Sequence, residues 1–239
     1  MTWQPTSPRV GGTRHRAPRR RHVWRWIIAG LVTLVLIVVG GFAASVKLQR
    51  ALAPLTLPTS VRPPAGTTDG TWDVSAGSVA GFRVRETALG LSNDTVGRTS
   101  AVTGTVVITG NEVTTARFQI GLTTVKVGAK TQPQFATSLD TRQYPTATFV
   151  LARPATLASA FASGSTITAE AFGQLTMHGI ARSVAFPVSG RRAGPAIDVT
   201  GSIPVTFAAW GIKGPAGYGF IGSLADHGVA EFLLIMRRP

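Results

Sequence analysis

Residues 27–46, reading IIAGLVTLVLIVVGGFAASV, run for twenty positions without a charge, and nothing else in the chain constrains its folding as strongly. A helix of about twenty residues, rising about 1.5 Å per residue, matches the roughly 30 Å hydrocarbon core of a bilayer. Arg9, Arg14, Arg16, Arg19, Arg20, Arg21 and Arg25 precede it with no acidic residue among them. Cationic flanks stay on the cytoplasmic side, so this pattern predicts an inside N-terminus and a C-terminal part outside the membrane. Trp24 and Trp26 stand where amphipathic rings favour the headgroup region. The competing reading is a cleaved signal peptide, whose apolar region usually runs about 7–15 residues. The greater length here favours a retained signal-anchor, with Gly41 to Ser45 as the small-residue stretch at which cleavage would have to occur.

The rest of the organisation follows from that segment. Residues 1–26, with prolines and glycines among the arginines, read as a basic, disordered cytoplasmic tail. Residues 47–70 lose periodicity and gain Pro54, Pro58, Pro63, Pro64 and Gly66. They read as an extended spacer that would hold a domain tens of ångströms from the bilayer at about 3.1 Å per residue. Residues 71–239 are long enough for one sizeable core.

The formal net charge of +14 suggests nucleic acid until its distribution is considered. Ten of the 24 Lys and Arg residues precede Asp69, the first acidic residue, leaving 14 against 10 in the domain, or +4. No stripe of cations there could track a phosphate backbone, so nucleic-acid binding is not expected. The chain has no cysteine, which removes disulfides, thiolate metal sites and cysteine nucleophiles together.

Alternation of apolar and polar residues dominates after Thr71. It is visible in Phe82-Arg83-Val84-Arg85, at Phe118, Ile120 and Leu122, and in Ile197-Asp198-Val199-Thr200. Gly110-Asn111, Ser163-Gly164, His178-Gly179 and Gly190 to Pro195 punctuate the segments. The pattern predicts an all-β domain of about eight strands, near 72–86, 98–109, 113–124, 145–152, 166–176, 182–190, 196–207 and 228–237, with a short helical or irregular piece near 129–140. Without long crossover helices the pairing must be antiparallel. Eight strands close into a barrel that its side chains fill or that holds one ligand. A two-sheet sandwich is the alternative.

Three segments carry a resemblance. Tyr144-Pro145-Thr146-Ala147-Thr148-Phe149 resembles the YP-x-[AI]-T-F signature of the YceI-like, polyisoprenoid-binding family. Gly173 to Val184, GQLTMHGIARSV, resembles that family's G-x-L-T-[LI]-H-G-V-T-[KR]-x-V segment, and Trp72 to Val84 resembles its opening strand. The likeness covers about residues 71–239, including the ending Gly201 to Phe207 followed by Asp226-His227-Gly228, and the chain is similar to the membrane-anchored members. The resemblance implies a lipocalin-like antiparallel barrel with an isoprenoid or other long-chain lipid inside it. Two departures stand out. Glu86 replaces the histidine that many relatives carry, and Lys130 to Gln134 lacks their Arg-Asp pair. Where that pair orients a head group, its absence implies a different head-group choice.

The candidate lumen residues are Phe82, Val84, Phe118, Ile120, Phe149, Phe172, Phe186 and Phe207. The same side chains would equally serve a solid core. His178, Asp226 and His227 are candidates for the barrel mouth, where they would meet a head group. His178 could instead brace its hairpin, and Asp226 could shape a turn. No HxH or HxxxH spacing supports a metal, and no cofactor is expected. Trp210 to Phe220, rich in glycine, reads as a lid or as a surface loop packing its own aromatics. With no G-x-S-x-G and no thiol, catalysis is not expected. Lipid binding is the leading expectation. The alternatives are a ligand-free barrel docking other envelope proteins, and a lipid hydrolase using His178 or His227.

Overall fold

Strands that alternate apolar and polar side chains bury one face and wet the other. In the computed structural model of this chain that pattern winds into a closed barrel. The structure describes residues 52–59, 61–63, 66–88, 90–128, 131–214 and 222–239. The basic tail and the apolar run expected to span a membrane lie outside the described residues. Among those described, no helix is long and apolar enough to cross a membrane. The described residues belong to the compact unit Arg50–Pro239.

Among the described residues there are twelve strands: β1 (Gly70–Val74), β2 (Val79–Ala88), β3 (Leu91–Thr99), β4 (Val102–Thr109), β5 (Glu112–Gly121), β6 (Lys126–Val127), β7 (Thr146–Leu151), β8 (Ala155–Thr156), β9 (Ile167–Met177), β10 (Ile180–Ala193), β11 (Ala196–Thr206) and β12 (Gly222–Arg237). They make eight staves, because β1 with β2, β3 with β4, β5 with β6 and β7 with β8 are parts of single bent strands, β7 and β8 both lying along β5. β2 pairs with β3 while β1 pairs with β4, and both β1 and β2 run antiparallel along β12. The order then follows the chain through β5, β7, β9, β10, β11 and β12, so first and last staves meet and the barrel closes. Closure leaves the staves no free edge, which rules out the two-sheet sandwich.

The bend between β1 and β2 has a local cause. Ser75 donates its backbone N–H to the Ile235 carbonyl at 2.8 Å, and the Ser78 hydroxyl accepts from the Ile235 N–H at 2.9 Å. The hydroxyls of Ser75 and Ser78 also donate to the Ile235 carbonyl, at 2.9 and 3.2 Å, and these bonds to one residue of β12 stand in for regular ladder bonds where the strand turns. The helix α1 (Pro133–Ser138) falls within the span expected to be helical and begins on proline, which is pre-set for a first turn.

The β4–β5, β10–β11 and chain-terminal turns mark the base of the barrel. The β2–β3 and β9–β10 turns, α1 and residues 207–214 lie at the other end, the mouth. Trp72, Ile108, Phe161, Ile167, Ile197 and Met236 pack the base. Phe149, Leu175, Phe186, Ile203, Val205 and Trp210 form a second cluster.

The proline-rich stretch does not stand off as an extended spacer over its described part. It runs down the outside of the barrel. Arg83 donates to the carbonyl of Leu52 at 2.7 Å and Arg98 to that of Ala53. The Thr200 hydroxyl lies 3.0 Å from the Leu55 carbonyl, and Arg191 donates to that of Pro58. Gly194 N–H reaches the Val61 carbonyl at 3.0 Å, Arg192 the Gly66 carbonyl at 2.8 Å, and Arg238 the carbonyls of Thr67 and Asp69 at 2.8 Å. Prolines make this possible, because an extended chain with few donors of its own presents its carbonyls to guanidinium groups. Beneath the strap Arg191 pairs with buried Asp198 at 3.6 Å. Burial lifts the Asp198 carboxyl above its ordinary range, and the Arg191 charge only partly offsets the rise.

Candidate functional site: an apolar lumen

Inward-facing side chains of the staves leave a cavity of about 240 Å³ inside the barrel. Its wall is built from residues such as Val106, Phe118, Phe149, Leu151, Ala171, Leu175, Phe186, Val199, Ile203 and Phe232. Its polar groups are already satisfied. Thr99 shares a 2.7 Å hydrogen bond with Thr124. Glu231 borders the cavity, but its carboxylate is held by Arg98 at 3.0 Å and Arg83 at 3.3 Å. A smaller space of about 80 Å³ adjoins it at the mouth. Phe82, Leu139, Met177 and Ala230 line both spaces, with Val84, Phe135, Val205, Phe207 and Ile212 added at the smaller one.

Cross-strand pairing explains why the aromatic rings do not close this space. Gly97 stands directly opposite Phe82, Gly104 opposite Phe118, and Gly201 opposite Phe232. A Cβ at Gly104 would lie 2.5 Å from the Phe118 ring and one at Gly201 2.7 Å from the Phe232 ring, with Phe82 at Gly97 and Phe149 at Gly173 closer still. Each ring therefore occupies the wall space that a missing side chain leaves, a known way of shielding glycine in a strand. Phe186 stacks edge-on between Phe149 at 5.5 Å and Phe232 at 6.1 Å.

Of the residues expected in the lumen, Phe118, Ile120, Phe149 and Phe186 line the larger cavity, Val84 and Phe207 the smaller, and Phe82 both. Phe172 is a correction. It falls between Ala171 and Gly173, whose Cβ positions face the lumen, so alternation turns it to the outer face, where the Arg153 guanidinium lies 3.3 Å from its ring centroid. The period of two around Ala171 carried that information, and the aromatic identity obscured it.

The mouth candidates separate. His178 occupies the first left-handed position of the two-residue β9–β10 turn (φ 50°), followed by Gly179 (φ 72°). Both positive angles suit the tight hairpin. Its Nδ1 donates to the Trp210 carbonyl at 3.0 Å and its ring packs on Tyr144 at 4.9 Å. It thus ties the hairpin to the 207–210 turn and to the segment after α1. Asp226 and His227 pair with each other at 2.8 Å, and their side chains are 90% and 70% exposed. They sit in the irregularity of β12 between Leu224 and Gly228, beside the smaller cavity but pointing away from it. The His227 hydrogen bond holds the Asp226 carboxyl below its usual range. Among the described residues no group of His, Asp and Glu has the arrangement of a metal site. Residues 210–214 of the glycine-rich stretch are described, with Trp210 and Ile212 buried, while 215–221 lie outside the described residues.

Sequence reasoning missed the Arg83–Arg98–Glu231 cluster. Its one signal was Glu231, the lone charge in the apolar run 228–236.

Comparison with known proteins agrees with this geometry. Residues 72–229 match the family model of the YceI-like domain. No curated protein matches the chain. Among solved structures, a polyisoprenoid binding domain from Saccharophagus degradans, implicated in plant cell wall breakdown, superposes with a TM-score of 0.54 at 16% identity, covering 71% of this chain and 98% of its own. BcnA from Burkholderia cenocepacia gives 0.51 at 21% identity, covering 68% and 98%. At such identities the likeness establishes the shared fold.

Proposed function

The chain belongs to the YceI-like family, and from that premise we propose that it is a membrane-anchored, extracytoplasmic protein that holds an apolar, isoprenoid-type lipid in its barrel lumen. The observation that carries the reading is a cavity of about 240 Å³ in which every bordering polar side chain is already bonded within the protein. Such a space rewards apolar chain, at about 0.8 kcal/mol for each methylene buried, and offers nothing to a polar solute. The name of the Saccharophagus degradans domain, a polyisoprenoid binding domain of the same fold, points the same way. Residues 27–46 and the arginines before them support the anchor and its orientation.

The lumen also favours this reading over a ligand-free adaptor, which would have its interior filled by side chains. A hydrolase finds little support, since the His178 ring is committed to Trp210 and Tyr144 and His227 faces solvent.

The full chain purified from its own membranes is expected to release a stoichiometric isoprenoid on solvent extraction. A reporter fused after Pro239 is expected to be active outside the cytoplasm. An empty protein that refuses added lipid would overturn the binding reading, and cytoplasmic reporter activity would overturn the topology.

A further inference from the structure

Resting on lipid binding in the lumen, we infer that the ligand is a short prenyl chain, of geranyl to farnesyl length, and that Gly97 and Gly201 set this limit. An apolar cavity of about 150 Å³ accepts one benzene, six carbons. On that scale the 240 Å³ lumen takes about ten carbons and, with the adjoining 80 Å³, about thirteen. A chain several times longer would leave most of its length outside the lumen.

The width of the space depends on where the rings of Phe82 and Phe232 lie, and each lies where its glycine partner lacks a side chain. At Gly97 and Gly201 the nearest atoms to an added Cβ belong to the ring of the cross-strand phenylalanine. An alanine must therefore move that ring. The wall is occupied by the strands, so the ring moves toward the axis and takes room from the ligand. At Gly104 and Gly173 a Cβ would also come within 2.3 and 2.6 Å of the Arg117 and Val150 carbonyl oxygens, against 3.3 Å from the Pro187 oxygen at Gly201, so substitution there disturbs the ladder itself. Gly97 and Gly201 are the positions where lumen size changes with least effect on the strands. Among the described residues bordering the cavity the one charged residue, Glu231, sits at an outward position with its carboxylate committed to two arginines, so the enclosed part of the ligand is uncharged.

The test is native mass spectrometry of the full chain, released from detergent micelles after incubation with geraniol, farnesol, geranylgeraniol or octaprenol. Affinity is expected to rise from geraniol to farnesol and then to stop rising. Gly201→Ala and Gly97→Ala should weaken farnesol at least about tenfold while changing geraniol less. Phe232→Ala, which removes a ring from the lumen, should extend the rise to geranylgeraniol, and this gain keeps the test valid should an alanine variant fail to fold. Affinity that continues to increase through octaprenol would overturn the length limit and leave the lipid-binding reading standing. Farnesol binding unchanged in both folded alanine variants would overturn the role of the glycines. No adduct of any length would overturn the lipid-binding reading itself.

Discussion

Glu231 shows how one residue can join two surfaces of this protein. It is 5% exposed, borders the lumen, and carries the charge that Arg83 and Arg98 neutralise while those arginines hold Leu52 and Ala53. Removing one partner of a buried pair typically costs about 3–5 kcal/mol. Arg83 and Arg98 keep some contact with water and their bonds to the strap, so Glu231→Ala should cost less, about 2 kcal/mol, measured by urea unfolding. A loss within error would mean that the arginines are satisfied without it. Asp226 supplies the pH-dependent counterpart. Its carboxyl is held below the ordinary value by His227, so what the pair contributes to stability is present above the ordinary carboxylate pKa and is lost as pH falls through the lowered one. His227→Ala should return the Asp226 titration, followed by NMR, to the ordinary range. An unchanged titration would show that the hydrogen bond is not its cause.

At the scale of elements, the strap and the β2–β3 hairpin are where sequence and structure part most instructively. The strands near 113–124, 145–152, 166–176, 182–190, 196–207 and 228–237 were legible because their apolar faces repeat every second residue and their turns carry glycine or proline. Residues 91–97, LSNDTVG, carry turn-forming Asn93 and Asp94 and gave no such signal, yet they form β3 because β2 pairs with them in register from Ala80 to Ala88. The strap was legible as irregular but not as fixed, because its partners are arginines distant in sequence. Arg98→Ala should remove one charged hydrogen bond, worth about 1.5 kcal/mol, and so accelerate proteolysis within residues 52–63 by about tenfold. Equal cleavage rates would indicate that the other contacts suffice. Among the site residues, the lumen aromatics could be found from alternation, but the glycines facing them could not, since their role exists only across a strand pair.

For the molecule as a whole, an antiparallel barrel of about eight strands was legible from strand number and the shortness of the connections, but the particular pairing that closes it was not. Closure depends on β12 reaching both β1 and β2, pairs such as Gly81 with Glu231 that are among the most distant in the chain. Every other neighbouring pair of staves is also consecutive in the sequence and can zip up as soon as its second strand exists. The seam has to wait. During synthesis the growing sheet therefore carries two unsatisfied borders, one along the first stave and one along the newest, of the kind that recruits strands from other chains. That exposure lasts until the final stave is made, and a single pairing event then removes both borders together.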